Sequence, residues 1–209
     1  GKKECKRLDR FEQLGLVAAH EAIENSGLDL EKEDLERIGV MVGSGIGGLQ
    51  SIETECIKLE TGKSKRVSPF FIPMSIINLV AGNIAIKYGL KGPCTSVVTA
   101  CATGTNSIGD AFRLIKHGYA DVMVAGGAEA PITRIGIGGF NGMKALNTCN
   151  DPQKASIPFD KDRSGFVMGE GAGVLVIESL EHAESRGANI IAEICGYGST
   201  CDAYHITSP

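Results

Sequence analysis

The chain has 209 residues, with 21 Lys or Arg and 25 Asp or Glu, and its net charge of −4 argues against the strongly basic domains that bind nucleic acid. A composition of 43% hydrophobic and 22% charged residues is typical of a packed globular protein and excludes a largely disordered one. The polar start and the lack of a run of about 18 uncharged apolar residues predict neither a signal peptide nor a membrane span.

Predicted helices and strands alternate along the chain. Asp9 as N-cap and Glu12 three residues later predict a first helix that ends at Gly27. Short apolar or Val- and Thr-rich runs predict strands at 38–42, 94–100, 121–126, 174–177 and 190–195. Helical spacing predicts further helices from 49 up to Gly62, at 75–88, at 103–117 and at 180–186. This alternation predicts an α/β fold, with helices on both faces of a mostly parallel sheet.

The seven cysteines are widely spaced and form no CxxC pair; they are Cys5, Cys56, Cys94, Cys101, Cys149, Cys195 and Cys201. An odd number of separated cysteines is typical of free thiols in a reducing compartment and fits neither a disulfide framework nor a zinc site. We therefore expect a cytoplasmic protein that holds no metal and needs no cofactor.

The most informative segment is VVTACATGT at 97–105, where a predicted strand runs directly into a predicted helix with Cys101 at the turn. Backbone N–H groups and the positive end of the dipole at a helix start favour a thiolate, which is the better nucleophile. The same N–H groups are suited to hold the oxyanion of a tetrahedral thioester intermediate. Taken alone, however, a cysteine in such a turn is more often a small core residue.

Further motifs accompany this turn in a fixed order, namely SPFFIP (68–73), TAC (99–101), DVMVAGGAE (121–129), PFD (158–160), DRSGFV (162–167), GEGAG (169–173) and DAYHITSP (202–209). Their order and spacing resemble the β-ketoacyl-acyl carrier protein synthases, in particular the elongating synthases of bacterial fatty acid synthesis. The resemblance extends over essentially the whole chain. It implies a thiolase-like layered α-β-α fold and an acyltransferase of fatty acid biosynthesis.

By this resemblance Cys101 accepts an acyl chain, which the complete enzyme condenses with malonyl-acyl carrier protein with loss of CO2. The family uses two histidines and a lysine of a C-terminal half to assist, and His20, His117 and His182 match none of its motifs. We therefore expect 1–209 to be a single N-terminal ketosynthase domain, a fragment without the extreme N-terminus and the C-terminal half. Such a fragment is not expected to condense by itself.

The resemblance also implies binding sites and partners. Positions that line or gate the family's apolar acyl pocket are Ile46, Phe71, Ile72, Gly136 and Phe140. A basic cluster at Lys2, Lys3, Lys6, Arg7 and Arg10 stands out in an acidic chain, and an acidic carrier protein is attracted by such a cluster. Family docking positions match Lys3, Lys6, Arg7 and Lys144. The expected partners are acyl carrier protein, acyl and malonyl thioesters and a second copy in a homodimer, with neither nucleic acid nor membrane.

Three alternatives remain open from the sequence. Gly43-x-Gly45-x-x-Gly48 follows a predicted strand and precedes a predicted helix, as in a nucleotide-binding α/β domain, although the acidic strand end expected about 20 residues later is missing. A non-catalytic partner subunit of the same fold is a second alternative, but such a subunit is expected to lack the nucleophile. Thiolase-like acyl exchange on coenzyme A is a third, which the PFD and GEGAG motifs disfavour.

Overall fold

The structure is a computed structural model that describes residues 2–206, with side chains from residue 3 onward. The side chain of Lys2 in the N-terminal basic cluster lies outside the described residues, as do residues 207–209 at the end of the DAYHITSP motif. Among residues 2–206, no helix combines the length and apolar character that crossing a membrane requires.

Helices and strands alternate over most of the described chain. The strands are β1 (Ile38–Gly43), β2 (Cys94–Thr95), β3 (Val122–Glu129) and β4 (Gly171–Glu178). The helices are α1 (Lys2–Cys5), α2 (Arg10–Ser26), α3 (Leu49–Glu60), α4 (Phe71–Ser75), α5 (Leu79–Tyr88), α6 (Thr103–Lys116), α7 (Arg134–Gly142), α8 (Pro152–Ala155) and α9 (Leu180–Ser185).

The strands form one mixed sheet with the order β2-β1-β3-β4. β1 runs parallel to β2 and to β3, whereas β4 lies antiparallel to β3 at the sheet edge. The register pairs Gly43 with Gly127, so the carboxyl ends of the two central strands lie side by side. The mostly parallel sheet predicted from the sequence is confirmed, and the later strand adds an antiparallel edge.

Side chains of the central strands alternate between two buried faces. Val40 and Val124 pack in a cluster with apolar residues of α2 and α5, whereas Met41 and Met123 pack in a second cluster with Ala111 of α6. Because helices cover both faces, successive residues of β1 are all buried. This double burial is the physical reason for the continuous apolar run at 38–42.

Two predicted strands differ from the structure. The run at 94–100 forms a strand only over Cys94–Thr95, because the chain then leaves the ladder and the Ser96 hydroxyl donates to the Val42 carbonyl at 2.6 Å. The predicted strand at 190–195 was wrong, since these residues have no strand pairing in the described chain and Ile191 is 94% exposed. β-Branched residues favour a strand only where a partner can take up their backbone hydrogen bonds.

The predicted helix at 75–88 is interrupted. Ser75 is the last residue of α4, and the rest of the predicted helix forms only from Leu79, as α5, because Ile76 adopts an extended backbone with φ −83° and ψ 136°. At the same point the Ser75 carbonyl accepts a hydrogen bond from Gly48 N at 3.2 Å, so it pairs with the loop before α3. A tertiary contact therefore replaces the local helical hydrogen bond.

The start of α2 contains two buried carboxyl groups that confirm the predicted capping box. Asp9 accepts hydrogen bonds from Ser51 N at 2.9 Å and Ser51 Oγ at 2.6 Å, which fixes α3 to α2. Glu12 accepts from Asp9 N at 2.7 Å and from Asn83 Nδ2 at 3.0 Å. Burial disfavours the charged form of Glu12 and raises its pKa to about 7, and the neighbouring Asp9 charge adds to the increase.

This raised pKa predicts a pH-dependent effect of Glu12→Gln. The folded-state pKa of Glu12 lies above its ordinary value. The stability that protonated Glu12 contributes to the wild type is therefore lost as pH rises from about 4.5 to about 7. The glutamine side chain of the variant has no proton to lose in this range. In urea denaturation, the free energy of unfolding of the variant relative to wild type should therefore increase over this range, by about 3 kcal/mol at most.

Glu24→Gln, at an exposed position of the same helix, is the matched control and should show no such trend. Parallel stability profiles of wild type and Glu12→Gln between pH 4.5 and pH 7 would show that the folded-state pKa of Glu12 is not raised.

Candidate active site

Cys101 lies in a 3-10 turn, Ala100–Ala102, that leads directly into α6. The Thr103 hydroxyl at the first position of α6 accepts a hydrogen bond from Thr99 N at 2.9 Å, and this contact closes the turn. Ala100 has φ +50°, a left-handed backbone that costs on the order of 1–3 kcal/mol in a non-glycine residue. The turn is therefore held in a strained shape that leaves Cys101 exposed at the opening of the helix.

Three glycines allow α6 to approach the sheet at this turn. A Cβ built on Gly127 of β3 would lie 3.1 Å from the Cα atom of Gly104 in α6. A Cβ on Gly43 of β1 would lie only 2.3 Å from the Val97 carbonyl oxygen and 2.5 Å from Cγ2 of Thr103. Side chains at these positions would push the helix start away from the strand ends, so the glycines set the depth at which Cys101 sits.

Cys101 opens into a cavity of about 680 Å³, a size typical of small-molecule sites. Its wall combines the loop after β1, the Cys101 turn, the end of β3, one residue of α7 and most of 166–173. Within the described chain, the polar side chains in this wall besides Cys101 are Ser44, Thr103 and Glu129. An otherwise apolar cavity beside a thiol is suited to a saturated acyl chain, because each buried CH2 contributes about 0.8 kcal/mol.

The predicted acyl-pocket residues are divided between several places. Ile46 and Phe140 line the cavity with Cys101, and the Phe140 ring packs edge-on against Phe166 with ring centroids 5.2 Å apart. Gly136 is buried and does not line the cavity, but a Cβ on it would lie 2.1 Å from the carbonyl oxygen of Pro131, which does line it.

Two of the predicted pocket residues lie elsewhere. Phe71 lines a second cavity, of about 270 Å³, together with Lys6. Ile72 is 58% exposed on α4. In the described chain, therefore, neither shares the Cys101 cavity.

The glycine-rich loop after β1 already has an anionic partner. The Glu129 carboxylate accepts from Gly45 N at 2.7 Å, from Ile46 N at 3.1 Å and from the Ser44 hydroxyl at 2.8 Å. These are the loop donors that a nucleotide phosphate would need. The structure therefore gives no support to the nucleotide-binding alternative. The next strand along the chain, β2 (Cys94–Thr95), comes only after α3, α4 and α5 and has no acidic residue.

The predicted docking residues Lys3, Lys6, Arg7 and Lys144 are all exposed. The Arg7 guanidinium lies 4.9 Å from the centroid of the Phe70 ring. Arg10 of the same basic cluster has a different role, since it pairs with Glu170 beside the cavity wall. Glu170 also accepts from Ile132 N at 3.2 Å, so this pair fixes the start of β4 near the end of β3.

The histidines lie away from Cys101. His20 is hydrogen-bonded to the Tyr88 hydroxyl at 2.9 Å. His182 lies between Glu178 and Glu33, at 2.8 Å from each carboxylate, and its pKa is raised by these partners against the opposing effect of burial. Among residues 2–206 no histidine lines the Cys101 cavity, and no group of three His, Cys, Asp or Glu side chains has a metal-binding arrangement.

Sequence reasoning missed part of this site. Phe166, Val167 and Met168 contribute to the cavity wall, although Phe166 and Val167 were recognised only as part of the DRSGFV motif, with no role assigned in the pocket. Glu129 belonged to a recognised motif but had no assigned role. The available signal was a carboxylate directly after a buried glycine-rich strand, because an acidic residue in such a place needs hydrogen-bond donors.

The known proteins that this chain resembles in sequence are of one family. Residues 1–183 match the sequence profile of the β-ketoacyl synthase N-terminal domain. The chain is 55% identical over 208 residues to 3-oxoacyl-acyl-carrier-protein synthase 2 of Staphylococcus aureus, and 53% identical over 209 residues to the protein of that name from Vibrio cholerae. These alignments cover 100% of this chain but only 52% and 50% of the two relatives. The chain thus spans about half the length of the curated relatives it matches.

Solved structures with a similar fold are also ketosynthases. A β-ketoacyl synthase from Burkholderia phymatum STM815 superimposes with a TM-score of 0.89 at 34% identity, covering 100% of this chain and 52% of that chain. A chain of the AntDE:AntF complex gives a TM-score of 0.87 at 34% identity, covering 94% and 50% respectively. That complex is of a type II PKS acyl-carrier protein with its ketosynthase bound to the hexaketide. The predicted thiolase-like layered fold is confirmed.

The close contact between α6 and β1 predicts that Gly43→Ala is destabilising. The added Cβ has no room beside the Val97 carbonyl, so overpacking should lower the free energy of unfolding by about 1–3 kcal/mol. Gly138→Ala in α7 is the matched control, because no atom of the described chain lies within 4 Å of its built Cβ. It should be neutral or stabilising by up to about 1 kcal/mol. Equal stabilities of the two variants in urea denaturation would contradict the close approach.

Proposed function

This chain belongs to the β-ketoacyl synthase family, and we propose that it is the nucleophile-bearing domain of an acyltransferase of fatty acid biosynthesis. In this proposal residues 1–209 form one N-terminal ketosynthase domain. The observation that carries the proposal is the placement of an exposed Cys101 at the opening of α6, against a largely apolar cavity of about 680 Å³.

The first step is transfer of an acyl group to Cys101. The thiolate attacks the thioester carbonyl carbon, and a bond from sulfur to carbon forms as the carbonyl becomes an oxyanion. Backbone N–H groups of the opening turn stabilise this oxyanion. The intermediate then collapses with cleavage of the bond to the carrier sulfur, and the carrier leaves as a thiolate that takes up a proton. The acyl chain lies in the cavity beside Ile46 and Phe140.

The second step, condensation with a malonyl thioester, needs donors for the enolate that forms when CO2 leaves. The described cavity has no histidine, and His20 and His182 are held by partners elsewhere. The proposal therefore assigns acyl transfer to this domain and condensation to the whole gene product. A non-catalytic subunit is less well supported, because Cys101 is retained in an open cavity.

The proposed partner is an acyl carrier protein. Such carriers are acidic, and Lys3, Lys6, Arg7 and Lys144 are exposed cations. Attraction between opposite charges speeds the encounter of the two proteins, and added salt weakens this attraction. A similar ketosynthase is in complex with its acyl-carrier protein. A homodimer is proposed from the family resemblance.

Labelling with an acyl-carrier thioester tests the assignment of Cys101. In the whole gene product, peptide mass spectrometry should find the acyl group on Cys101, and Cys101→Ala should reduce labelling to background. Cys94→Ala, which removes another exposed free thiol, is the matched control and should leave the labelling of Cys101 unchanged. An acyl group on Cys94 or Cys149 in the wild type would refute the assignment. Acylation by acyl-coenzyme A at a matching rate would favour thiolase-like exchange.

Charge reversal tests carrier docking separately. Lys6→Glu and Lys144→Glu should each slow acylation by the carrier-bound thioester about 10-fold at low salt, and the difference from wild type should shrink as salt is added. Acylation by a small thioester without carrier should be unchanged. Lys91→Glu reverses an exposed charge outside the proposed docking set and serves as control. An equal effect of all three substitutions, or none, would refute the docking surface.

A further inference from the structure

We propose that Glu129 is a positioning residue that holds the loop at 44–47 against the Cys101 turn and thereby sets which acyl chains fit beside the nucleophile. The inference rests on the proposed acyl transfer and adds to it a residue that determines specificity. Glu129 is the last residue of β3, two positions beyond the Gly43–Gly127 pair. It therefore lies across from the point where the chain leaves β1.

Both carboxylate oxygens of Glu129 are used by this loop. Oε2 accepts from Gly45 N at 2.7 Å and Ile46 N at 3.1 Å, while Oε1 accepts from the Ser44 hydroxyl at 2.8 Å. The Ser44 oxygen in turn accepts from Gly47 N at 3.0 Å. One carboxylate thus fixes four consecutive residues, directly or through a buried hydroxyl.

The loop also packs closely against Glu129 and the Cys101 turn. A Cβ on Gly45 would lie 2.7 Å from the Glu129 carboxylate, so this glycine is needed for the approach. The same Cβ would lie 3.3 Å from the Ala100 carbonyl oxygen, which places the loop in contact with the residue before Cys101. The loop shaped by Glu129 and the strained turn of the nucleophile therefore pack against each other.

This contact couples Glu129 to the acyl chain through Ile46. The Ile46 side chain lines the cavity and is 36% exposed, while its own N–H is one of the groups that Glu129 binds. Because both oxygens accept hydrogen bonds from the loop, Glu129 acts on the cavity through the shape of the loop. Loosening the loop would displace Ile46 along the cavity. A long chain that must pass Ile46 would be affected more than a short one, since small displacements of positioning groups have large effects on rate.

The test compares Glu129→Gln with wild type in the whole gene product. The variant has the same shape but loses one acceptor oxygen and places an amide NH2 against backbone N–H groups. Acylation of Cys101 by a long saturated acyl-carrier thioester should slow about 10-fold, on the scale expected for a misplaced binding group. Acylation by a short-chain donor and alkylation by iodoacetamide should change less than about twofold, because neither reaches past Ile46.

Hydrogen–deuterium exchange provides a readout that does not depend on acyl transfer. The peptide spanning 43–48 should exchange faster in Glu129→Gln, and Ser44→Ala should produce the same effect to a smaller extent while leaving the carboxylate in place. Glu55→Gln is the control, because Glu55 also accepts a backbone N–H, from Ser68 at 2.9 Å, but does not line the Cys101 cavity. It should change none of these measurements.

Each outcome is decisive. Faster loop exchange with selective loss of long-chain acylation supports the proposal. Equal slowing of all three reactions, or unchanged loop exchange in both Glu129→Gln and Ser44→Ala, overturns it. If the wild type accepts no acyl donor, the proposed function has failed and the specificity role of Glu129 fails with it. Faster loop exchange in Glu129→Gln would then show only that the contact between Glu129 and the loop is real. If Glu129→Gln does not fold, Ser44→Ala decides by the same criteria.

Discussion

The close approach of α6 to the carboxyl ends of β1 and β3 is the constraint on which the rest of the site depends. It is possible only because Gly43, Gly104 and Gly127 present backbone instead of side chains, with Gly127 close enough that a Cβ would lie 3.1 Å from Gly104. The chain must then turn sharply before the helix, and Ala100 takes the left-handed backbone that this turn requires. Cys101 is left exposed at the helix opening, beside a cavity. Packing thus places Cys101, the proposed nucleophile, and the proposed chemistry follows from that placement.

Carboxyl groups also connect these packed helices, strands and loops through hydrogen bonds. Asp9 and Glu12 join the start of α2 to α3 and α5, Glu170 joins the start of β4 to the end of β3, and Glu129 joins the two strand ends at the cavity. Each lies where backbone N–H groups would otherwise lack partners, so polar groups are satisfied where helices and loops meet the sheet. Burying a carboxyl group disfavours its charged form, and at Glu12 burial raises the pKa to about 7. Of these carboxyl groups, Glu129 lines the Cys101 cavity, so its hydrogen bonds shape the cavity wall directly.

The sequence predicted most of the elements that place the site, and its errors have physical causes. The capping residues Asp9 and Glu12 and the apolar run at 38–42 act locally, so their patterns were sufficient for α2 and β1. The strand expected at 94–100 is mostly irregular, because a tertiary hydrogen bond from Ser96 replaces the ladder. The strand expected at 190–195 has no partner in the described chain. The position of Cys101 at a turn was readable from its neighbours, whereas the hydrogen bonds of Glu129 were not, since its partners lie more than 80 residues away.

Acyl transfer to a cysteine at a helix opening is the central claim, and a crystal structure of the acylated whole gene product tests it most directly. The account predicts continuous electron density from the Cys101 sulfur into the cavity, with the acyl carbonyl oxygen directed at backbone N–H groups of the turn and the chain running past Ile46. Density for the acyl group on any other residue, or a chain lying on the surface with the cavity unchanged, would contradict it.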